Sequence, residues 1–252
     1  MEDERLFLKK RFAELADQCV TERRYRYSDF LSLYGLSIFH EIEQELSYAQ
    51  PQVFGGSDAC ERCMVRFGSQ ELCGYDEAYP IRILSIRPAM AKYAKKISHR
   101  DFLGSVIGLG LEREKIGDIF VRDNEACMFV HEDVAEYIER YLEYVGRTNV
   151  KVSEITSVPE GLMPILAEKS VLVSSNRVDA VIAKLYGLSR DEASGLVKNG
   201  YVFFDGRMIS KSTASILPGQ VVSVRGHGRF VFDGEGGRTK KDKMHLSLRV
   251  YE

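Results

Sequence analysis

Leu8, Phe12, Leu15 and Cys19 recur at helical spacing, so the chain is expected to open with an amphipathic helix. Ser28 reads as the N-cap of a second helix, with Phe30, Leu33, Ile38, Ile42 and Leu46 on a rougher apolar face. Pro51 and the Gly55-Gly56 pair in AQPQVFGGSDACERC then break the pattern. From Ile81 the rhythm changes to that of strands. IRILSIRP alternates apolar and outward arginine positions until Pro88 stops it. The second half of AMAKYAKKISHRDFLGSVIGLG fits a helix carrying Phe102, Leu103, Val106, Ile107 and Leu109. KIGDIFVRDNEACMFVHE is two apolar runs around Asp123-Asn124-Glu125, the pattern of a hairpin. DVAEYIERYLEYVG places Val134, Ile138, Tyr141, Leu142 and Val145 on one helical face with Gly146 as its stop, and NVKVSEI is a further alternating strand.

Strand, helix, strand, strand, helix, strand is the order of a ferredoxin-like split βαβ domain, expected over 81–158. Residues 1–80 are expected to form an acidic, mostly helical domain. Residues 159–175, with Pro159, Gly161 and Pro164, read as a connector. Over 176–252 the periodicity predicts a small unit of two helices and a sheet. Val178, Val181, Ile182 and Leu185 form one helical face, with Asn176 as N-cap and Gly187 as stop. Ser189 and Glu192 have capping-box spacing for the next helix, and Gly200 closes it. Asp205-Gly206 in YVFFDGRMI is a hairpin signal, and the chain runs through further strands to MHLSLRVYE. The expected class is α+β, multi-domain.

Composition adds a charge asymmetry. The 252 residues carry a net charge of −2. Residues 1–80 hold 9 Lys+Arg against 15 Asp+Glu, residues 81–175 hold 13 against 14, and residues 176–252 hold 13 against 8. A basic end on an acidic chain points to a polyanionic partner met by that end. Five cysteines fit a reducing compartment better than a disulfide framework, so a cytoplasmic location is expected. The acidic, then amphipathic start is not expected to be a secretory signal, and no apolar run approaches the roughly 18 residues a membrane span needs.

Two motifs look catalytic and fail on inspection. His99-Arg100-Asp101 matches the start of a kinase catalytic loop, but Val106 stands where that loop needs a metal-holding Asn. Gly108-x-Gly110 is followed by Arg113 where a dinucleotide fingerprint needs its third glycine. A capped helix is expected instead, with Ser98 as its cap, His99 and Arg100 on its first turn, and Arg113 and Lys115 in a basic turn beyond its end. Helix starts attract phosphate through their unpaired N–H groups and dipole. Cys60 and Cys63 form a C-x-x-C with Cys73 ten residues on, but a structural zinc site needs four ligands, and a fourth would have to come from Cys19 or a distant histidine. His40, His99, His131, His227 and His245 show no ligand spacing, so no metal and no cofactor is expected.

The C-terminal unit carries the most specific signal. Arg177 and Arg190 start its two helices, Lys198 lies near the end of the second, and Lys211, Arg225 and Arg229 follow in the strand and turn region. With Ser189 they make a basic surface suited to phosphate contacts. The stretch from Asn176 to Phe230, including Ser189-Arg190, KNGYVFFDG and PGQVVSVRG, resembles the alpha-L RNA-binding motif, a module named after a small-subunit ribosomal protein. FGGSDACER, SHRDFLGSVIGLGLEREKIGDIFV and VRGHGRF extend the likeness to the YlmH family of bacterial proteins over essentially the whole chain. Cys60, Cys63 and Cys73 are not part of that family's pattern as a set. The resemblance implies a middle RNA-binding domain of ferredoxin-like shape before the alpha-L module. It also implies a non-enzymatic factor for the large ribosomal subunit carrying peptidyl-tRNA, acting in translation quality control and rescue of stalled translation. Its partners would be ribosomal RNA and tRNA, with no membrane and no small-molecule substrate. Two alternatives stay open: an RNA-modifying enzyme of pseudouridine-synthase type, and an adaptor that recruits a partner through its acidic N-terminal domain.

Overall fold

A computed structural model of the chain describes residues 2–93, 95–239 and 243–252. Lys240, Lys241 and Asp242 of the basic loop expected before the last strand lie outside the described residues. The chain divides into two compact units, Met1–Met163 and Pro164–Glu252.

In the first unit, α1 (Glu2–Glu22) buries Phe12, Leu15, Ala16 and Cys19, the face its periodicity predicts. The second helix differs from expectation. After β1 (Arg26–Tyr27), α2 runs Leu33–Ile42 with Ser32, not Ser28, as its cap; the Ser32 hydroxyl accepts from the Gly35 N–H at 3.3 Å. Ser28 is held extended: its Oγ accepts from the Val65 N–H at 2.9 Å, and its own N–H donates to the Val65 carbonyl at 2.9 Å. A residue pinned to a neighbouring strand on both groups is not available to start a helix. That neighbour is β3 (Met64–Phe67), which forms a three-stranded antiparallel sheet with β1 and β2 (Gln52–Phe54). The acidic section is therefore helices on a small sheet, with the short α3 (Gln70–Cys73) beyond it.

The same unit continues with β4 (Ile81–Pro88), α4 (His99–Ile107), β5 (Ile116–Arg122), β6 (Glu125–His131), α5 (Glu132–Tyr141), β7 (Tyr144–Val145) and β8 (Thr148–Ile155). The sheet order is β5-β6-β4-β8-β7, with every neighbouring pair antiparallel. This is a split βαβ arrangement: β6 lies between β4 and β5, the two strands joined through α4. The β5–β6 hairpin turns at Asp123 and Asn124, both with positive φ (51° and 66°), as a two-residue turn between twisted strands requires. The helix expected to run to Gly146 stops at Tyr141. Tyr144-Val145 instead pairs with Thr148-Asn149, and Gly146, at φ 59°, makes their turn.

Phe102 and Val106 of α4 and Val134 and Ile138 of α5 pack with Leu84, Ile86, Met128 and Val130 on one sheet face. On the opposite face Phe120, Cys127 and Phe129 are buried with Phe30 and Met64 of the N-terminal section and with Leu162. Burying one such phenylalanine side chain contributes about 1.5–3 kcal/mol, so the two sections share a core. Leu84, Ser85 and Ile86 are consequently all buried in β4, where simple alternation predicts every second residue exposed.

In the second unit the expected connector is partly a strand. β9 (Leu166–Val173) pairs antiparallel with the last strand along its whole length, from Leu166 opposite Tyr251 to Val173 opposite Met244. Its sequence, LAEKSVLV, lacks strict alternation, so only the pairing reveals it. Then come α6 (Val178–Tyr186), α7 (Arg190–Lys198), β10 (Val202–Phe204), β11 (Arg207–Met208), β12 (Val221–Val224), β13 (Gly228–Arg238) and β14 (Met244–Tyr251). They form one antiparallel sheet, β11-β10-β12-β13-β14-β9. Val178, Val181 and Ile182 of α6 and Ala193 and Val197 of α7 pack with Val222, Phe230, Phe232, Leu246 and Leu248 of the sheet. Among the described residues no helix is long and apolar enough to cross a membrane.

Candidate nucleic-acid interface

The centre of the second unit's basic surface is a buried acid. Asp179, in the first turn of α6, has a side chain only 5% exposed. Its carboxylate accepts from Arg177 Nε at 3.2 Å and Nη2 at 2.8 Å, and from Arg190 Nη2 at 2.8 Å. The arginine side chains remain 39% and 46% exposed. One buried charge thus compensates two guanidinium groups and fixes both at the surface, where each keeps further N–H donors. Arg177, rather than Asn176, occupies the N-cap position; the Asn176 side chain instead donates to the Ile216 carbonyl at 3.4 Å.

Local capping sets the second arginine. Ser189 Oγ accepts from the Glu192 N–H at 3.1 Å, and the Glu192 carboxylate accepts from the Ser189 N–H at 2.7 Å, the reciprocal capping box that the spacing predicts. The Ser189 hydrogen bonds hold the Glu192 carboxyl below its ordinary pKa. Ser189 is therefore spent on positioning Arg190. Lys211 lies in the loop beside these helix starts: the Asp179 N–H donates to the Ser212 carbonyl at 3.4 Å and the Val178 N–H to the Ala214 carbonyl at 2.8 Å. Arg177, Arg190 and Lys211 thus belong to one end of the unit.

Lys198 is exposed at the far end of α7. Near it, Tyr201 bonds back to α7 through its N–H to the Leu196 carbonyl at 2.9 Å, and the Arg225 guanidinium stands 5.7 Å from the centre of the Tyr201 ring. Arg229 stacks closer, 3.8 Å over Tyr251 on the sheet. Each of these arginines lies over a π-face, a geometry that also suits nucleobases. The sequence gives Arg225 and Arg229 but not their aromatic partners, which lie on strands and turns brought together only by pairing.

The basic residues of the first unit divide. Asp101 accepts from the Ser98 N–H and Oγ at 2.8 and 2.7 Å, so α4 is capped as expected and His99 and Arg100 stand exposed on its first turn. Although His99 is solvent-accessible, neighbouring atoms partly desolvate its ring, and that desolvation, then the Arg113 charge, lowers its pKa. Arg113 and Lys115 are engaged inside the unit instead of forming an open basic turn. Arg113 donates to the Ile116 carbonyl and, at 3.4 Å, to that of Gly117. Lys115 pairs with Asp29 at 2.8 Å and Asp133 at 3.6 Å. Burial opposes the Lys115 charge, but the Asp29 hydrogen bond and charge outweigh it and raise the pKa. Beside them Arg62 donates to the carbonyls of Ile116 (2.9 Å), Phe30 (2.8 Å) and Arg113 (3.3 Å), and Asp118 accepts from the N–H groups of Glu61 and Arg62. The stretch GLGLEREKIGD is thus the seam that holds the N-terminal section to the β4–β8 sheet.

That seam matters for recognition. Four-stranded sheets that bind RNA on their open face stack bases on exposed aromatics. Here Phe120 and Phe129 on that face are buried under Phe30 and Met64, so they cannot serve. Cys19 and Cys127 are likewise buried, and burial pushes both thiols up to about 11, while Cys60, Cys63 and Cys73 are half-buried. Among the described residues no group of three or more His, Cys, Asp or Glu side chains could hold a metal ion.

Comparison with known proteins finds similarity to a family model and to two proteins. Residues 75–158 match the family model described as "Putative RNA-binding domain in YlmH". The chain is 29% identical over 198 residues to the "Ribosome-associated protein quality control protein P2" of Bacillus subtilis (strain 168), covering 77% of this chain and 75% of the relative. Among solved structures, the "Cell division protein ylmH from Streptococcus pneumoniae" aligns with a TM-score of 0.47 at 16% identity, over 61% of this chain and 92% of that one. The matched residues coincide with the β4–β8 sheet and the B. subtilis relative aligns over most of the chain, so the chain is similar to the YlmH family across that domain.

Proposed function

We propose that the chain is a non-enzymatic RNA-binding factor that associates with the large ribosomal subunit and contacts rRNA and tRNA phosphates in the quality control of stalled translation. The Arg177–Asp179–Arg190 cluster carries the reading. Two arginines fixed on a buried carboxylate at neighbouring helix starts are preorganised for phosphate, and they lose little side-chain freedom on binding. Lys211 extends that end of the unit, while Lys198, Arg225 and Arg229 supply contacts elsewhere on it. His99 and Arg100 add a second cationic point on the first unit. The B. subtilis relative, named for ribosome association and protein quality control, supports the same reading. The test is sedimentation of the protein with purified 50S subunits at stepped salt, wild type against Arg177→Glu/Arg190→Glu. Wild-type binding should fall steeply with salt, and the double variant should stay in the supernatant at moderate salt. Equal co-sedimentation of the two would move the interface elsewhere.

An adaptor role for the N-terminal section has one observation in its favour. Leu6 and Phe7 on the acidic start of α1 are 70% and 66% exposed. Deleting residues 1–80 would strip Phe30 and Met64 from the shared core, so Leu6→Ser/Phe7→Ser is the suitable variant for a pull-down.

A further inference from the structure

Beside Arg190 the second unit carries a cavity of about 280 Å³ that phosphate binding alone does not explain. Its floor is apolar: Leu172 of β9, Ala180 and Ala183 of α6, and Leu188 of the turn before α7. Its rim is cationic, with Lys184, Arg190 and Lys243, and none of the described lining residues is a carboxylate. A bare phosphate has no use for an apolar floor, and an apolar ligand has no use for three cations. A nucleotide uses both, its base against the floor and its phosphate at the rim. The volume sits just under the range of about 300–1,000 Å³ typical of small-ligand sites, room for one nucleotide and not a stack. The Asp179 hydrogen bond holds the Arg190 guanidinium in place at this rim.

We infer that this cavity takes a single unstacked nucleotide of the bound RNA. The inference rests on the RNA-binding reading above and sharpens it. A base inside a duplex cannot reach the floor without leaving its stack, so the cavity selects loops, bulges and ends, where RNA presents splayed bases. The alpha-L unit then combines sequence-independent phosphate contacts at Arg177 and Lys211 with a geometric filter for an extruded base.

The test uses the full chain and fluorescence anisotropy with two labelled RNA hairpins, identical except for a one-nucleotide bulge. Wild type should bind the bulged hairpin roughly tenfold tighter. Ser174→Leu narrows the mouth at an exposed position, and Lys184→Gln removes one rim charge. Each should cut that preference to about twofold or less, with the plain hairpin little changed. Excess adenosine monophosphate should fail to displace the bulged hairpin; displacement would assign the cavity to free nucleotides and overturn the RNA assignment. Equal wild-type affinity for the two hairpins, or a preference untouched by both variants, would overturn the cavity while leaving general RNA binding intact. Failure to bind either hairpin would remove the RNA-binding reading as well.

Discussion

The Asp179 carboxylate, almost wholly buried, accepts a 2.8 Å hydrogen bond from Arg190, eleven positions on, and so ties the start of α6 to the start of α7. Arg177 completes the cluster from the other side. Asp179→Asn keeps the shape and removes the charge. On net charge alone this variant should bind RNA more tightly. The geometry predicts the reverse, because two arginines released from their anchor must be ordered again on binding. RNA affinity is expected to fall roughly tenfold, with a stability loss of about 1–3 kcal/mol from weakened charged hydrogen bonds. Anisotropy titrations and urea melts of the same samples check both.

Removing both arginines strands the buried carboxylate. Arg177→Ala/Arg190→Ala is expected to cost about 3–5 kcal/mol, more than Asp179→Asn, because an uncompensated buried charge is worse than two exposed ones. Adding Asp179→Asn to the double variant should restore much of the loss, a non-additive result that a double-mutant cycle reads directly.

Salt dependence separates phosphate contacts from folding effects. Each of Arg177, Lys211 and Arg225, changed singly to Gln, should lower the slope of log affinity against log salt by about 0.7–0.9 if its side chain meets a phosphate. Arg62→Gln should leave the slope alone.

Arg62 has a different expected cost. Burial, then the neighbouring Arg113, lowers its pKa to about 10, so it stays charged at neutral pH and donates to three carbonyls of the seam. Arg62→Met is expected to destabilise the first unit by on the order of 3 kcal/mol, since buried acceptors lose their donors. Arg100→Met on the exposed turn of α4 should change stability little. Urea unfolding of the full chain distinguishes the two.

The first unit should also weaken in mild acid. Burial, then the Lys115 charge, lowers the His131 pKa below its ordinary 6.5, against the pull of Asp133. The neutral ring caps α5, its Nδ1 accepting from the Asp133 N–H at 3.2 Å. A histidine with a lowered folded pKa contributes stability that is whole above pH 6.5 and is lost as pH falls through the folded value, because the unfolded chain binds the proton more readily. Urea midpoints should drop as pH falls below about 6.5, and His131→Asn, which can still cap, should flatten that drop.

The residues that announced themselves in the sequence did so through local rules. Ser189 and Glu192 cap α7 because a side chain three positions on can reach back, whatever the rest of the chain does. Asp123-Asn124 turns a hairpin because those residues tolerate positive φ. The misread elements failed on non-local grounds. Ser28 could not start a helix because β3 claims its backbone, and LAEKSVLV became a strand because β14 offers it an edge.

The candidate site divides along the same line. Arg177 and Arg190 were legible as basic helix starts, and Arg113 and Lys115 as a basic turn beyond the end of α4. Only packing told them apart, by spending the second pair on carbonyls and on Asp29 while fixing the first pair at the surface. FGGSDACER shows the limit from the other side: a β-carbon on Gly56, at φ 98°, would lie 2.4 Å from the Phe129 ring, a close approach between residues more than seventy positions apart. The sequence by itself determined helix faces, caps and tight turns, since those depend on neighbours along the chain. Which charges stay at the surface and which are spent inside the fold, and that a cavity with an apolar floor opens beside Arg190, depended on partners brought from elsewhere in the fold, and only the tertiary structure decided that.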